Sequence, residues 1–209
     1  MKQRTLSKTI KKACKTFPAI VVTGPRQSGK TTLLKDLFGI SHQYVNLENI
    51  HDRMAAESDP VGFLSHYKPP VIIDEIQYVP SLLSCIKTAI DNDRKPGQWL
   101  LTGSQNFSLM QNVSQSLAGR AAITSLLPFS VAERENRGEM VMDFGKIAAI
   151  KKHCQFIGVT EKLTEIILRG NYPEIASNKK VDRQLWCGSY VTTYLERDVR
   201  QLLAVRDLS

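Results

Sequence analysis

Residues 24–31 have the sequence Gly24-Pro25-Arg26-Gln27-Ser28-Gly29-Lys30-Thr31, and a second threonine, Thr32, follows. This stretch matches the pattern G-x-x-x-x-G-K-[ST] at every fixed position. The short apolar segment before it, residues 19–23, is rich in β-branched side chains and predicts a buried strand. Residues 31–38 carry apolar side chains at helical spacing, and Gly39 follows as a stop signal. A strand, a glycine-rich loop and a helix in this order are the context of a phosphate-binding loop.

The residue types in this loop suit the binding of a triphosphate. The glycines Gly24 and Gly29 let the backbone bend tightly and approach a polyanion. Successive backbone N–H groups within residues 24–32 then converge on the phosphates, with the positive end of the helix behind them. We predict that Lys30 contacts the β- and γ-phosphates and that Thr31 offers its hydroxyl group to Mg²⁺. A plain glycine turn that carries a lysine is the alternative.

The composition of the 209-residue chain is that of a globular protein, with 42% hydrophobic and 23% charged residues. One α/β domain with a smaller appendage is the natural expectation for this length. No apolar run approaches membrane-spanning length, and the basic N-terminus lacks the apolar core of a secretory signal. The four scattered cysteines are typical of reduced thiols and not of a disulfide framework or a metal site. We therefore expect a cytoplasmic protein without a membrane partner.

The net charge of +8 raises the question of a nucleic-acid partner. Six basic residues and no acidic residue lie among the first fifteen positions: Lys2, Arg4, Lys8, Lys11, Lys12 and Lys15. Such a cluster is able to contact a phosphate backbone. Residues 3–17 also carry an apolar stripe at helical spacing, which indicates an amphipathic helix with a solvated basic face. We favour the solvated face because no nucleic-acid-binding module signature accompanies the charge, and a DNA or protein partner at this helix is the alternative.

Predicted strands alternate with predicted helices along the chain. Besides the strand before the loop, four segments predict strands: residues 43–48, 71–75, 98–104 and 121–127. Five strands that alternate with helices argue for a parallel sheet covered on both faces, which is an α/β fold. From about residue 129 the pattern becomes helical. We therefore divide the chain into a nucleotide-binding domain with its basic helix, residues 1–132, and a helical segment, residues 133–209.

The strand at residues 71–75 ends in two acidic residues, Asp74 and Glu75. An aspartate at the carboxyl end of an apolar strand holds Mg²⁺ through its water shell. A neighbouring glutamate orients and deprotonates the attacking water. Parallel sheets place their ligands at the carboxyl ends of the strands. We therefore predict that Asp74 and Glu75 act on the triphosphate that Lys30 binds.

Two further places are candidates for contacts with the γ-phosphate. The strand at residues 98–104 runs into a polar tip, from which one side chain is predicted to bond the γ-phosphate or the water: Thr102, Ser104, Gln105 or Asn106. A polar turn is the alternative at this tip. Arg120 is predicted to sense the phosphate or to serve as an arginine finger in a neighbouring subunit, which requires a homo-oligomer. An arginine on the face of an edge strand is the alternative.

Taken together, these motifs resemble those of the prokaryotic AAA-like ATPases with a D-E-x-Q box. Besides the phosphate loop, the matching segments are Ile73-Asp74-Glu75-Ile76-Gln77, Leu101-Thr102-Gly103-Ser104, Ser116-Leu117-Ala118-Gly119-Arg120 and Pro128-Phe129-Ser130. Residues 169–174 and 194–199 are similar to the opening of the C-terminal domain of unknown function that these proteins usually carry. The resemblance covers essentially the whole chain.

The resemblance implies a P-loop fold whose five-stranded parallel sheet has the order 5-1-4-3-2. It also implies ATP as the nucleotide, Asp74 on Mg²⁺, Glu75 as the catalytic base and a polar sensor near Ser104. Members of this family continue well past position 209, so we expect most of the C-terminal domain to be absent here. A self-sufficient helical cap is the alternative for residues 182–203, whose broad apolar face we expect to be buried.

The function we predict is slow, Mg²⁺-dependent hydrolysis of ATP, coupled to a partner or to the C-terminal domain. The predicted catalytic residues are Glu75, Lys30, Ser104 and Arg120, and the predicted Mg²⁺ ligands are Thr31 and Asp74. The alternative is a nucleotide-gated protein- or DNA-binding module with negligible turnover. A small-molecule kinase is less favoured, because an Asp-Glu pair suits water better than a substrate hydroxyl group.

Overall fold

The computed structural model of this chain describes residues 2–104, 113, 115–136 and 163–195. The chain divides into two compact units, residues 1–144 and residues 145–209. The first unit contains, in chain order, α1 (Leu6–Ala13), β1 (Ala19–Thr23), α2 (Lys30–Phe38), β2 (Gln43–Asn46), α3 (Ile50–Ser58), α4 (Pro60–His66), β3 (Val71–Asp74), a 3₁₀ turn (Ile76–Tyr78), α5 (Leu82–Asn92), β4 (Trp99–Thr102), β5 (Ala121–Ser125) and α6 (Val131–Arg134).

The five strands of the first unit form one parallel sheet in the order β2-β3-β4-β1-β5. This is the predicted order 5-1-4-3-2 counted from the other edge, so the predicted fold is confirmed. Strand β4 lies between the phosphate-loop strand β1 and the acidic strand β3, and its Leu100 pairs with Ile20 on one side and Ile72 on the other. The carboxyl ends of β1, β3 and β4 therefore meet at one edge of the sheet.

The sheet is buried on both faces. Successive side chains of a strand point to opposite faces, and on β1 Ala19 and Val21 join one hydrophobic cluster while Ile20 and Val22 join the other. Helix α5 covers the first face with Leu82, Leu83, Ile86 and Ile90. Helices α1 and α2 cover the second face with Ile10, Ala13, Leu33 and Leu34. Burial on both faces is why these strands are continuous apolar runs in the sequence.

The predicted basic helix at residues 3–17 is shorter than expected, since α1 spans only Leu6–Ala13. Its apolar stripe packs on the sheet, with Ile10 fully buried, while Lys11 and Lys12 are exposed to solvent. This arrangement agrees with the amphipathic-helix interpretation. Arg4 differs from these lysines, because only 6% of its surface is exposed.

The second unit contains α7 (Leu163–Arg169), α8 (Pro173–Ser177), α9 (Arg183–Tyr190) and a π-helical turn (Val191–Leu195). The predicted helix at residues 182–203 is therefore α-helical only as far as Tyr190 and becomes π-helical at Val191. At this point the Thr193 hydroxyl group donates a 2.6 Å hydrogen bond to the Ser189 carbonyl group, which competes with the backbone hydrogen bonds of the helix. Residues 196–203 lie outside the described residues. The sequence predicts burial of the apolar face of residues 182–203, but no residue of α9 is buried.

Aromatic side chains of the second unit pack against one another. Trp186 and Tyr190 are stacked, with ring centroids 5.1 Å apart, and Tyr172 contacts both rings. Leu185 on the same helix is 70% exposed.

Across the described parts of both units, no helix has the length and apolar character needed to cross a bilayer.

Candidate active site

The predicted phosphate loop connects the end of β1 to the start of α2. Gly24 has φ +143°, and a β-carbon at this position would lie 2.2 Å from the Leu126 carbonyl oxygen, so only glycine fits. Gly29 has φ +93° and caps α2, and Gln27 also has a positive φ of 56°. The loop thus has the tight turn that the two glycines predicted, and it leads into the amino-terminal end of a helix. Pro25 and Arg26 are half-buried, Ser28 is buried, and Thr32 is exposed on α2.

Lys30, the first residue of α2, is turned into this loop. Its side chain is buried, and its Nζ donates hydrogen bonds to the carbonyl oxygens of Gly24 at 3.1 Å and Pro25 at 3.0 Å. Burial lowers the pKa of the Lys30 amine, and the nearby carboxylates of Glu75 and Asp74 oppose that shift. The amine therefore lies among the loop, the acidic pair and the helix start.

Asp74, the last residue of β3, is 2% exposed and accepts hydrogen bonds from three hydroxyl groups. Thr31 Oγ1 and Tyr44 Oη donate to its Oδ2 over 2.7 Å and 2.9 Å, and Thr102 Oγ1 donates to its Oδ1. The structure therefore brings together Thr31 and Asp74, the two predicted Mg²⁺ ligands. Burial and the Asp74 charge raise the pKa of the Tyr44 hydroxyl group, which stays protonated as a donor.

Glu75 lies just beyond the end of β3 and is not part of the strand. Its φ is 58°, a left-handed conformation that breaks the extended chain. The Glu75 N–H group donates a 3.1 Å hydrogen bond to Thr102 Oγ1, and the Gln77 amide donates to the Glu75 carboxylate. The Glu75 side chain is half-buried beside the Asp74 site, and its charge acts on Lys30.

Ser104 follows β4 at the same edge of the sheet. It is 6% exposed, and its hydroxyl group has no hydrogen-bond partner within the described residues. Its neighbour Gly103 donates a 3.3 Å hydrogen bond to the Val22 carbonyl group of β1, which places this segment next to the phosphate loop. Gln105 and Asn106, the other candidates for the sensor, lie outside the described residues.

Arg120 is not brought to this site. It directly precedes β5, and its carbonyl group accepts a hydrogen bond from Ala19, the first residue of β1, so it lies at the amino-terminal edge of the sheet. The five residues of β1 separate it from the loop, a distance of roughly 16 Å at about 3.3 Å per residue. Its guanidinium group is paired with Asp91, with Nε 2.6 Å from Oδ1. A contact with phosphates in the same chain does not fit this position.

A family model described as an AAA domain matches residues 16–135 of the chain. The chain belongs to this AAA domain family. A second model, of a domain of unknown function (DUF8612), matches residues 160–209. This AAA protein is 30% identical over 204 residues to uncharacterized protein Rv2008c of Mycobacterium tuberculosis and, to the same extent, to uncharacterized protein Mb2031c of Mycobacterium bovis. The matches cover 97% of this chain, which spans only 41% of the length of either relative.

A solved structure supports the fold. The Walker-type ATPase PABY2304 of Pyrococcus abyssi is similar with a TM-score of 0.50 and 14% sequence identity, covering 97% of this chain and 75% of that protein. Together, the family and the fold identify an AAA-like P-loop protein whose residues 160–209 match a domain of unknown function. They support nucleotide binding as its general activity.

The donor set of the AAA protein fits Mg²⁺. Among the described residues, no group of three or more His, Cys, Asp or Glu side chains is gathered as a metal site. Mg²⁺ needs no such group, because it keeps several waters and takes one or two protein oxygens together with phosphate oxygens. The Thr31 hydroxyl group and the Asp74 carboxylate supply oxygen atoms of this kind.

Sequence reasoning missed two residues that touch the acidic pair. Gln77 lies within one of the matching motifs, but the motif does not predict that its amide contacts the Glu75 carboxylate. The alternation of residues 43–48 predicts a strand that contains Tyr44, but it does not predict that the Tyr44 hydroxyl group reaches Asp74 on the neighbouring strand. The long side chain spans the distance between strands, which periodicity does not report.

Proposed function

We propose that this chain binds ATP with Mg²⁺ and hydrolyses it slowly, and that it couples the nucleotide state to a partner or to the C-terminal domain. The observation that carries the proposal is the 2.7 Å hydrogen bond between Thr31 and Asp74, which are 43 positions apart. It joins the start of α2 to the end of β3, beside the buried Lys30 amine. A hydroxyl group, a carboxylate and an ammonium group at the end of a phosphate loop are the parts that triphosphate binding requires.

Each residue has a defined role in this proposal. Backbone N–H groups within residues 24–32, where all residues except Pro25 have one, bind the phosphates, and the Lys30 ammonium group contacts the β- and γ-phosphates. Thr31 and Asp74 hold Mg²⁺, which neutralises charge on the phosphates. Glu75 orients a water molecule and takes its proton. The Ser104 hydroxyl group is buried and has no hydrogen-bond partner in the described part of the chain, which supports a contact with the γ-phosphate.

A nucleotide-gated binding module with negligible turnover is the second candidate. The Gln77 amide favours it, because it already donates a hydrogen bond to the carboxylate that would activate water. A carboxylate oxygen that already accepts this hydrogen bond is less available to a water molecule. The partner in this case would be a protein or DNA, bound by the exposed lysines of α1 or by α9, whose residues are not buried.

The decisive experiment compares ATP binding and ATP hydrolysis in wild type and Glu75→Gln. We expect Glu75→Gln to bind ATP as tightly as wild type and to lose about 10²–10⁴-fold in hydrolysis, the range that general bases contribute. Glu48→Gln is the matched control, since it is the same change at an exposed position after β2. Equal hydrolysis by wild type and Glu75→Gln would show that Glu75 is not the base.

The binding half of the proposal is tested with labelled ATP and GTP, with Mg²⁺ and with EDTA. We expect ATP to bind in preference to GTP, EDTA to weaken binding, and Lys30→Ala to abolish it. If Lys30→Ala binds ATP like wild type, the loop is not the nucleotide site. If ATP binds without measurable turnover but changes affinity for DNA or the oligomeric state at fixed salt, the binding module is favoured.

A further inference from the structure

Arg4 differs from the other basic residues of the N-terminal segment because it is buried. The guanidinium group donates hydrogen bonds to the Ser28 carbonyl oxygen at 2.8 Å and to the Leu127 carbonyl oxygen at 2.5 Å. Its Nε lies 3.3 Å from Glu133 Oε1, and its carbon Cζ lies 4.7 Å from the centre of the Phe129 ring. Arg4 lies ahead of the AAA domain match at residues 16–135, so the family match assigns it no role.

Glu133 extends this network on the other side of the guanidinium group. Its carboxylate accepts hydrogen bonds from the backbone N–H groups of Thr5 at 2.7 Å and Ser130 at 3.0 Å. The Arg4 and Glu133 side chains are only 4% and 6% exposed. A buried charge pair persists when further hydrogen bonds satisfy it, and this pair has them from three chain segments. The network therefore holds the N-terminal segment, the phosphate loop and residues 127–134 in one arrangement.

The bond to Ser28 has a direct consequence for the phosphate loop. In a planar, trans peptide unit the carbonyl group of one residue and the N–H group of the next point in opposite directions. Arg4 holds the Ser28 carbonyl group, so it also sets the direction of the Gly29 N–H group. Gly29, with φ +93°, has no side chain to restrict its own backbone.

The loop is thereby fixed at both ends by neighbouring segments. At its start, Gly24 lies against the Leu126 carbonyl group, which leaves no room for a β-carbon. At its end, Arg4 joins Ser28 to Leu127, the residue after Leu126. Both contacts involve the chain that follows β5 and leads into α6.

We propose that Arg4 is a positioning residue that aligns the Gly29 N–H group for the triphosphate and ties the phosphate loop to residues 127–134. This inference rests on the proposed binding of ATP by the loop. It assigns to the N-terminal segment a part in nucleotide affinity that none of its exposed lysines has.

The test measures the dissociation constants of ATP and of inorganic tripolyphosphate for wild type and Arg4→Gln. We expect both constants to rise at least tenfold in Arg4→Gln, because the misaligned N–H group contacts phosphate in either ligand. Lys12→Gln removes the same charge at an exposed position of α1 and is expected to bind both ligands like wild type. Circular dichroism at the assay temperature confirms that each variant is folded.

Arg4→Lys separates positioning from charge, since lysine keeps the charge but lacks the planar fork that reaches two carbonyl groups. We expect an intermediate loss, and this variant carries the test if Arg4→Gln does not fold. Glu133→Gln is expected to weaken ATP binding in the wild-type background but not further in Arg4→Gln. The inference is overturned if wild type binds ATP, Lys30→Ala does not, and the folded Arg4 variants bind like wild type. A loss confined to ATP also overturns it, whereas absence of ATP binding in wild type sinks the proposed function instead.

Discussion

The Asp74 carboxylate is the most heavily hydrogen-bonded acidic group of the candidate site. Hydroxyl groups from three elements donate to it, namely Thr31 on α2, Tyr44 on β2 and Thr102 on β4. A buried carboxylate must be hydrogen-bonded, and neutral hydroxyl donors satisfy this need without cancelling its charge. At the residue scale, the site is therefore a negative charge that is held in place and still available to a cation.

Thr102→Val tests this arrangement at a single oxygen atom. Thr102 is fully buried, and its Oγ1 donates to Asp74 and accepts from the Glu75 N–H group. Valine keeps the shape but takes this hydroxyl group away from Asp74 Oδ1 and from the Glu75 N–H group, while Thr31 and Tyr44 still donate to Asp74 Oδ2. We expect the free energy of unfolding to fall by about 1–3 kcal/mol in urea titrations of the nucleotide-free protein.

Thr88→Val is the control for Thr102→Val, since Thr88 is exposed on α5. We expect it to change the free energy of unfolding by no more than about 0.5 kcal/mol, as is usual for surface positions. Equal effects of the two substitutions would contradict the bridging role of Thr102.

At the scale of elements, the phosphate loop is shaped by its neighbours as well as by its own residues. The backbone after β5 passes so close to the loop that Leu126 donates to the Thr23 carbonyl group at 2.8 Å and its own carbonyl group faces Gly24. The loop therefore depends on β5 being beside β1. Its conformation is a property of the strand pair and not of the eight-residue motif alone.

Gly24→Ala tests this packing. The substitution imposes a positive φ on alanine and places a methyl group 2.2 Å from the Leu126 carbonyl oxygen. We expect a loss of unfolding free energy larger than that of Gly119→Ala, together with loss of ATP binding in a titration with labelled nucleotide. Gly119 is the matched control because its φ is +70° and nothing lies within 4 Å of an added β-carbon.

The control isolates the effect of backbone conformation. Left-handed strain alone is expected to make Gly119→Ala less stable by roughly 1–2 kcal/mol and to leave ATP affinity unchanged. If Gly24→Ala is no less stable than Gly119→Ala and still binds ATP, the contact with Leu126 does not shape the loop.

At the scale of the whole molecule, the parallel sheet separates two edges with different contents. The carboxyl edge holds Lys30, Asp74 and Ser104, and the amino-terminal edge holds the pair of Arg120 and Asp91. Because Arg120 lies at the edge opposite the phosphate loop, an arginine finger from Arg120 would have to act on a neighbouring chain.

The AAA domain match ends at residue 135, and the second family match begins at residue 160. The predicted domain division at residue 132 stays a prediction.

Arg120→Ala tests this separation of the edges. We expect the affinity for ATP to stay unchanged, because the residue lies at the edge opposite the phosphate loop. If Arg120 acts as a finger in a homo-oligomer, the hydrolysis rate per chain falls in the variant at high protein concentration and not at low concentration. A rate equal to wild type at every concentration contradicts the finger, and Asp91→Asn, which breaks the ion pair but keeps the arginine, is the control.

Much of the fold and the centre of the site were predictable because their signals are local. Two glycines and a lysine between an apolar strand and a helix, all within about twenty residues, predict the phosphate loop. Strands that are buried on both faces appear as apolar runs whatever their neighbours are. The position of Arg120 at the amino-terminal edge was also predictable. Arg120 precedes the predicted strand at residues 121–127, and the start of a parallel strand lies at the edge opposite to the one where its neighbour ends. The order of the strands, however, came from the family resemblance.

By itself, the sequence determined the parallel sheet, the loop and the acidic pair Asp74 and Glu75, because spacing along the chain specifies which residues end a strand. Only the tertiary structure decided that the Tyr44 hydroxyl group reaches Asp74 and that the Gln77 amide holds Glu75. It also decided which of the six basic residues among the first fifteen positions is buried, namely Arg4. The physical reason is that such contacts depend on the directions in which side chains leave the folded backbone, and a one-dimensional pattern does not contain those directions.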